Sequence, residues 1–280
     1  MKVAGSLAEY AALAASHRAS PPAALVPTMG ALHEGHRSLI RLARARSERV
    51  VVSIFVNPLQ FGAGEDFARY PRPLADDLAV CEEEGVDLVF APNATDLYAA
   101  DRQVSVSAGA LGQVLEGAAR PGHFDGVLTV VLKLFHIVDP GLAVFGQKDA
   151  QQLACVQRMV RDLNLDIEVL GAPIVRDADG LALSSRNVYL SPAERVLARS
   201  LSAALEKAGT SPSVPAARAA AEEVLNRAAD DPAFTLDYAE LVHPGTFAEV
   251  PDDHTGTAIF ALAARVGRTR LIDNATLIFD

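Results

Sequence analysis

Pro27-Thr28-Met29-Gly30-Ala31-Leu32-His33-Glu34-Gly35-His36 decides the fold of this chain. Just before it, Ala23-Ala24-Leu25-Val26 is a short apolar run of the kind that forms a buried strand. Just after it, residues 38–46 place apolar side chains at helical spacing and arginines on the opposite face. Pro27 closes the strand, and Gly30 and Gly35 loosen the turn. Two histidines, His33 and His36, therefore fall where a strand hands over to a helix, on the same side of its first turn. A helix start offers unpaired N–H groups and a partial positive charge, which suit a phosphate. Two imidazoles beside it suit the charge that develops when a phosphate is attacked. Taken alone, the pair reads equally as a zinc pair or as surface histidines; Gly35 tilts it toward a ligand, because glycine lets backbone come close.

Outward from this turn, strands and helices alternate. Residues 49–56 are a near-continuous β-branched run, suited to a parallel strand buried on both faces. Further strands are expected at 87–92, 142–145 and 166–170, with a short extension at 103–107. Helices are expected over 73–84, 126–138 and 150–163, and an amphipathic helix over the Ala-rich first 20 residues. This alternation predicts an α/β fold with a doubly wound parallel, Rossmann-like sheet. Beyond it, Ser191-Pro192-Ala193-Glu194 is a helix start, running to about residue 205. Residues 209–215 read as a Gly/Ser/Pro linker, 216–229 as a helix, and 236–243, 257–266 and 269–273 as strands. The expected division is 1–174 for nucleotide and substrate, and 175–280 for a smaller C-terminal α+β domain acting as a lid.

Composition narrows the class. Half the residues are hydrophobic and 21% are charged, as in a globular protein with a sizeable core. A net charge of −10 argues against nucleic acid as a partner. No apolar run approaches the roughly 20 residues of a membrane span, and the first 20 residues lack the order of a signal peptide. Two cysteines, Cys81 and Cys155, form no C-x-x-C pair, which points to a reducing cytoplasm. Neither a Walker loop nor G-x-G-x-x-G is present, so if ATP is handled, the histidine turn serves in their place.

Three further stretches could carry chemistry. In Gly146-Gln147-Lys148-Asp149-Ala150-Gln151-Gln152, Lys148 follows a strand at its ligand-facing end, where an ammonium would neutralise phosphate, and Gln152 lies one turn on. Leu183-Ser184-Ser185-Arg186 offers two hydroxyls and a guanidinium for a triphosphate. Asn57 and Gln60, on the exit loop of the second strand, could hold hydroxyl or carboxylate oxygens. Arg120 with His123 reads as added positive charge or as plain structure; Asp76 and Asp77 read as a solvated helix face. His17, His136, His243 and His254 read as surface or core residues.

The H-x-G-H turn resembles the signature of the HIGH-type nucleotidyltransferases, which include class I aminoacyl-tRNA synthetases. Within that superfamily the chain resembles the pantothenate synthetase (pantoate–β-alanine ligase) family. The resemblance rests on 27–36, on Phe55-Val56-Asn57-Pro58-Leu59-Gln60-Phe61, Tyr70-Pro71-Arg72, Arg120-Pro121-Gly122-His123-Phe124, on 146–153 and on Ser184-Ser185-Arg186-Asn187. A weaker echo is Leu271-Ile272-Asp273-Asn274. It implies an ATP-dependent condensation of pantoate with β-alanine through pantoyl adenylate, with AMP and pyrophosphate released. It also implies Mg²⁺ with the nucleotide, no protein metal site, and a cytoplasmic homodimer. By the same resemblance His33, His36 and Lys148 are catalytic, with His36 in the proton-donor position. Met29, Gly30, Gly146, Gln147, Asp149, Val175, Leu183, Ser184, Ser185 and Arg186 would line the ATP site. Pro27, Met29, Asn57, Gln60 and Gln152 would hold pantoate or β-alanine. Leu183 stands where the family more often has Met, and Asp125 where a neutral or basic residue is common. The competing readings are a sister nucleotidyltransferase acting on a phosphorylated acceptor, and a nonenzymatic module, either a nucleotide sensor or a zinc-binding scaffold using His33, His36 and His123.

Overall fold

The computed structural model describes residues 1–15 and 22–280; His17 lies outside them. Among the described residues, six strands form one all-parallel sheet in the order β1-β4-β3-β2-β5-β6. They are β1 (Lys2–Ala4), β2 (Ala24–Thr28), β3 (Val50–Ile54), β4 (Leu88–Phe90), β5 (Leu142–Gly146) and β6 (Glu168–Ala172). Side chains alternate across a strand, so each apolar run supplies two cores. Leu25, Val51, Phe90 and Ala143 point to one face. There they meet Tyr10 of α1 (Leu7–Ala15), Leu128, Val131 and Phe135 of α6 (His123–Val138), and Val156 and Met159 of α7 (Ala150–Asp162). Ala24, Val26, Val50, Val52 and Val89 point to the other, against Leu39, Ile40 and Ala43 of α2 (Glu34–Arg46) and Cys81 of α3 (Leu74–Glu83).

The chain steps outward from β2 to β3 to β4, then returns to place β5 on the other side of β2. Between β2 and β5 the connections leave in opposite directions. Such a switch point opens a crevice at the carboxyl ends of the strands, which is where open α/β sheets bind ligands. Pro27, Thr28 and Gly146 are at that edge.

A separate core follows. The helices α8 (Pro192–Ala198), α9 (Ser200–Gly209) and α10 (Val214–Ala229) pack Leu201, Leu205, Ala217 and Leu225 onto an antiparallel sheet. Its strands are β7 (Phe234–Val242), β8 (Gly256–Val266) and β9 (Thr269–Phe279), in that order.

Several local expectations change. β1 is a three-residue strand seen only through its pairing with Leu88–Phe90, and the helix read across the first 20 residues starts at Leu7. Residues 103–107 join no sheet. α6 begins at His123, three residues early, because left-handed Gly122 (φ 80°) starts it. The helix expected to 205 divides at Arg199, α10 begins inside the expected linker, and β9 runs on to Phe279. The short helices α4 (Ala94–Leu97) and α5 (Glu116–Ala119) were not anticipated. Cys81 and Cys155 are buried free thiols.

Candidate active site

The turn between β2 and α2 is held from outside. Gly30 (φ 79°) and Ala31 (φ 51°) are both left-handed, so the main chain turns back and leaves the Ala31 and Leu32 N–H groups needing acceptors. Asp77 of α3 supplies them: its carboxylate accepts from Ala31 N at 2.9 Å and Leu32 N at 2.7 Å, and the residue is 2% exposed. The solvated-face reading therefore holds for exposed Asp76 and fails for Asp77. A Cβ on Gly30 would lie 2.7 Å from the Asp77 carboxylate, so this glycine builds the turn and does not line the cavity.

His33 then caps α2. Its Nδ1 accepts from Gly35 N (3.1 Å), while the His36 Nδ1 accepts from His33 N (3.2 Å). Gly35 makes room for this fold-back, since a Cβ there would meet the His33 ring at 2.9 Å. The rings lie 4.2 Å apart. Burial, reinforced by the Lys148 charge, holds His33 down to about 4. Burial, then His33 and Lys148, holds His36 down to about 3. Both are neutral at pH 7, and with each Nδ1 occupied as an acceptor, each carries its proton on Nε2. The pair thus presents two N–H donors and no cation.

The positive charge comes from Lys148, in the turn Gln147–Asp149 after β5. Among the described residues, its ammonium makes no salt bridge or hydrogen bond. Lys148, Asp149 and Gly146 share one cavity of about 230 Å³ with Pro27, Met29, His33 and His36. Gln152, Val175, Leu183, Ser184, Ser185 and Arg186 line the same cavity. Gln147 does not line it; its amide turns away to Gly171 O at 3.3 Å.

Gln60 and Asn57 line the same cavity. Gln60 Nε2 rests 3.2 Å from Met29 Sδ, and its Oε1 accepts from Asn57 Nδ2 at 3.0 Å. Asn57 is 1% exposed, and its amide is fully engaged: Nδ2 also donates to Gly126 O (3.1 Å), and Oδ1 accepts from Leu59 N and Tyr98 Oη (3.2 and 2.8 Å). It orients Gln60. Gly126 makes this possible, because a Cβ there would lie 2.2 Å from Leu59 O. His123 Nδ1 donates to Gln60 O (2.8 Å), and its Nε2 accepts from Arg120 (3.1 Å). Burial, then Arg120, holds His123 down to about 4. The Arg120 charge is itself balanced by Glu65 (2.7 Å) and Glu116 (3.3 Å). This loop is therefore a brace for Gln60, and it contributes no free charge.

The Ser184–Arg186 segment is docked over the turn. Ser185 Oγ donates to Ala31 O at 3.2 Å. Arg186 forks onto Asp66 (2.8 and 3.0 Å), 5.6 Å from the Tyr70 ring. Asp66 and Tyr70 were missed as single residues, with only the quoted Tyr70-Pro71-Arg72 block marking their neighbourhood, and Asp77 was named but given the wrong setting. Among the described residues, no three His, Cys, Asp or Glu side chains cluster to hold a metal, and His123 faces Gln60, so the zinc-scaffold reading finds no ligand set. His136 and His243 are exposed, and neither they nor His254 line the cavity.

Comparisons with known proteins identify the family. The family model described as pantoate-beta-alanine ligase matches residues 2–276. Pantothenate synthetase of Thermobifida fusca is 59% identical over 263 residues, covering 91% of this chain and 89% of the relative. That of Acidothermus cellulolyticus is 56% identical over 256 residues, covering 90% and 84%. The crystal structure of pantothenate synthetase from Thermus thermophilus superposes with a TM-score of 0.90 at 47% identity, covering 98% of this chain and 99% of that one. Pantoate-beta-alanine ligase from Francisella tularensis, complexed with beta-gamma ATP and beta-alanine, gives 0.83 at 32% identity, covering 98% and 97%. With imidazoles, ammonium and amides gathered at the switch point of the sheet, and with matches running nearly end to end, the chain belongs to the pantoate–β-alanine ligase family.

Proposed function

We propose that this protein condenses pantoate with β-alanine using ATP, through a pantoyl adenylate. One observation carries the assignment of roles: His33, His36 and Lys148, far apart in the chain, line a single cavity with Met29, Gln60 and Gln152. In the first step a pantoate carboxylate oxygen bonds to the α-phosphorus and the bond to pyrophosphate breaks. Charge builds on the phosphate oxygens, where the two Nε2–H donors and the Lys148 ammonium answer it without rearrangement. In the second step the β-alanine amine attacks the acyl carbon, loses a proton and expels AMP. Gln60 and Gln152 hold pantoate, with Met29 against it; Asn57 fixes Gln60. Gly146, Asp149, Val175 and Leu183 wall the nucleotide. Gly30 and Gln147 support their turns from behind.

The mixed anhydride is already an activated acyl group, so the protein's task is to position reactants and exclude water. The segment 175–280 serves as the lid, with Ser184, Ser185 and Arg186 as its moving edge. Binding of ATP and β-alanine by the Francisella relative supports the two substrates. Mg²⁺ would enter with the nucleotide substrate, since Asp149 is a lone carboxylate on the cavity wall and no cluster of three His, Cys, Asp or Glu side chains stands among the described residues. The family resemblance further supports a cytoplasmic homodimer; no helix of the described residues is long and apolar enough to cross a membrane. Omitting ATP, pantoate and β-alanine in turn tests the reading. Pyrophosphate should appear only with pantoate, and AMP with pantothenate only when β-alanine is added. Turnover of a phosphorylated acceptor instead of pantoate would overturn it.

A further inference from the structure

We infer that Asn274, with Asp273 beside it, is a positioning residue that registers Lys148 and the nucleotide wall against one strand of the C-terminal sheet. This rests on the adenylation reading above. Lys148 has no ion pair of its own among the described residues, so the place of its ammonium depends on where the main chain of its turn is held. That main chain is gripped by the other core: Asn274 Nδ2 donates to Gln147 O at 2.9 Å and to Lys148 O at 2.8 Å. Asn274 is 6% exposed, and both of its amide protons are thereby used. Aspartate would set carboxylate oxygens against the same two carbonyls and place a negative charge behind the phosphate cation.

The adjacent residue faces the other way along the strand and grips the other wall. Asp273, 3% exposed, accepts Arg176 Nη1 at 2.6 Å and Nη2 at 2.9 Å. Arg176 also donates to Gly180 O (3.1 Å), and Leu183 N donates to Val175 O (3.0 Å), closing the hairpin that carries Val175 and Leu183 to the cavity and leads into Ser184. β9 needs neither side chain for its own pairing, which runs along β8 from Thr269 to Phe279. The dipeptide therefore does more than build its sheet. It ties the Lys148 turn and the 175–183 hairpin to a common reference. The Leu271-Ile272-Asp273-Asn274 stretch, singled out in the sequence without a role, acquires one.

The test is pyrophosphate release from ATP and pantoate by the full chain, with Asn274→Ala, Lys148→Ala and the double variant. A displacement of about 1 Å at a reacting group costs about 10²-fold in rate, so Asn274→Ala should lower kcat by about that factor. Its KM for pantoate should change less than kcat, since of the two pantoate-holding amides only Gln152 follows the Lys148 turn and Gln60 is braced elsewhere. In the Lys148→Ala background the Asn274 change should cost less than about twofold more, because its effect passes through Lys148. Asn274→Ser, which restores one donor, should recover part of the rate and serves should the alanine variant not fold. Asp273→Asn should raise the KM for ATP about tenfold by loosening the Arg176 fork. Wild-type kcat in Asn274→Ala, or the same fold-loss with and without Lys148, would overturn the inference while leaving the reaction intact. Absence of pyrophosphate from the wild-type protein would instead overturn the reaction.

Discussion

Replacing Asp77 by alanine should unseat the histidine turn from 46 residues away. The carboxylate is the acceptor for two partly buried main-chain donors, Ala31 N and Leu32 N. A hydrogen bond to a charged group contributes about 1.5–3 kcal/mol, so two of them bound the loss at about 3–6 kcal/mol. Burial works the other way: it pushes the Asp77 carboxyl up despite the two N–H partners, and removing the group relieves that desolvation. The net cost should be about 2–4 kcal/mol, well within the stability of a folded domain. Ala31, left-handed without glycine's freedom (φ 51°), should then relax, carrying the His33 cap with it. Urea unfolding followed by circular dichroism reads the first effect, and pyrophosphate release from ATP and pantoate reads the second, with a loss of about 10²-fold expected. Asp76→Ala, one residue away and exposed, is the control and should change neither. An Asp77→Ala protein within about 0.5 kcal/mol of wild type and with undiminished adenylation would refute this account.

Lys148→Ala should lower adenylation by orders of magnitude with little change in Tm, because the ammonium makes no salt bridge among the described residues; comparable turnover would remove it from the mechanism. His36→Gln should flatten the acid side of the stability curve. Burial depresses the folded value to about 3 from an ordinary 6.5, so protons bind the unfolded chain first, and stability is lost as pH falls below 6.5 toward 3. Urea midpoints measured from pH 7 to 4 should fall steeply for wild type and less for the variant; parallel curves would contradict the burial argument. Asp66→Asn should release Arg186 from its carboxylate fork and tighten ATP binding several-fold by calorimetry, whereas Arg186→Ala should weaken it. A weaker affinity in Asp66→Asn would show the pair to be a structural tie.

The strand–turn–helix at 24–46 was legible because its signals are local: an apolar run, Pro27, two glycines and a helical arginine face. The same holds for the alternation that gave the parallel sheet. What escaped depends on partners distant in the chain. Asp77 looks like an acidic first-turn residue of α3, and nothing near it in sequence reveals that the donors it serves belong to Ala31 and Leu32. β1 is too short to carry a period and exists through its pairing with β4. Asn57 and Gln60 were read alike, as polar groups on one loop, and both line the cavity, yet the Asn57 amide is spent on Gln60, Gly126, Leu59 and Tyr98. Arg186 was recognised by type, while its docking onto Asp66 was not, since that pair spans 120 residues.

Gly126 gives the Asn57–Gln60 end of the cavity an unusual kind of hardness. Where Leu59 O would sit 2.2 Å from any Cβ, helix and loop meet main chain to main chain, with no side chain between them to bend or swap rotamer. Side-chain walls drift as sequences diverge and yield to guests of slightly different bulk; a seam of this kind does neither. The seam thus fixes how far α6, with Val127, Val130 and Val131 on the cavity wall, stands from the loop that carries Gln60, and changing that distance would require moving a whole helix.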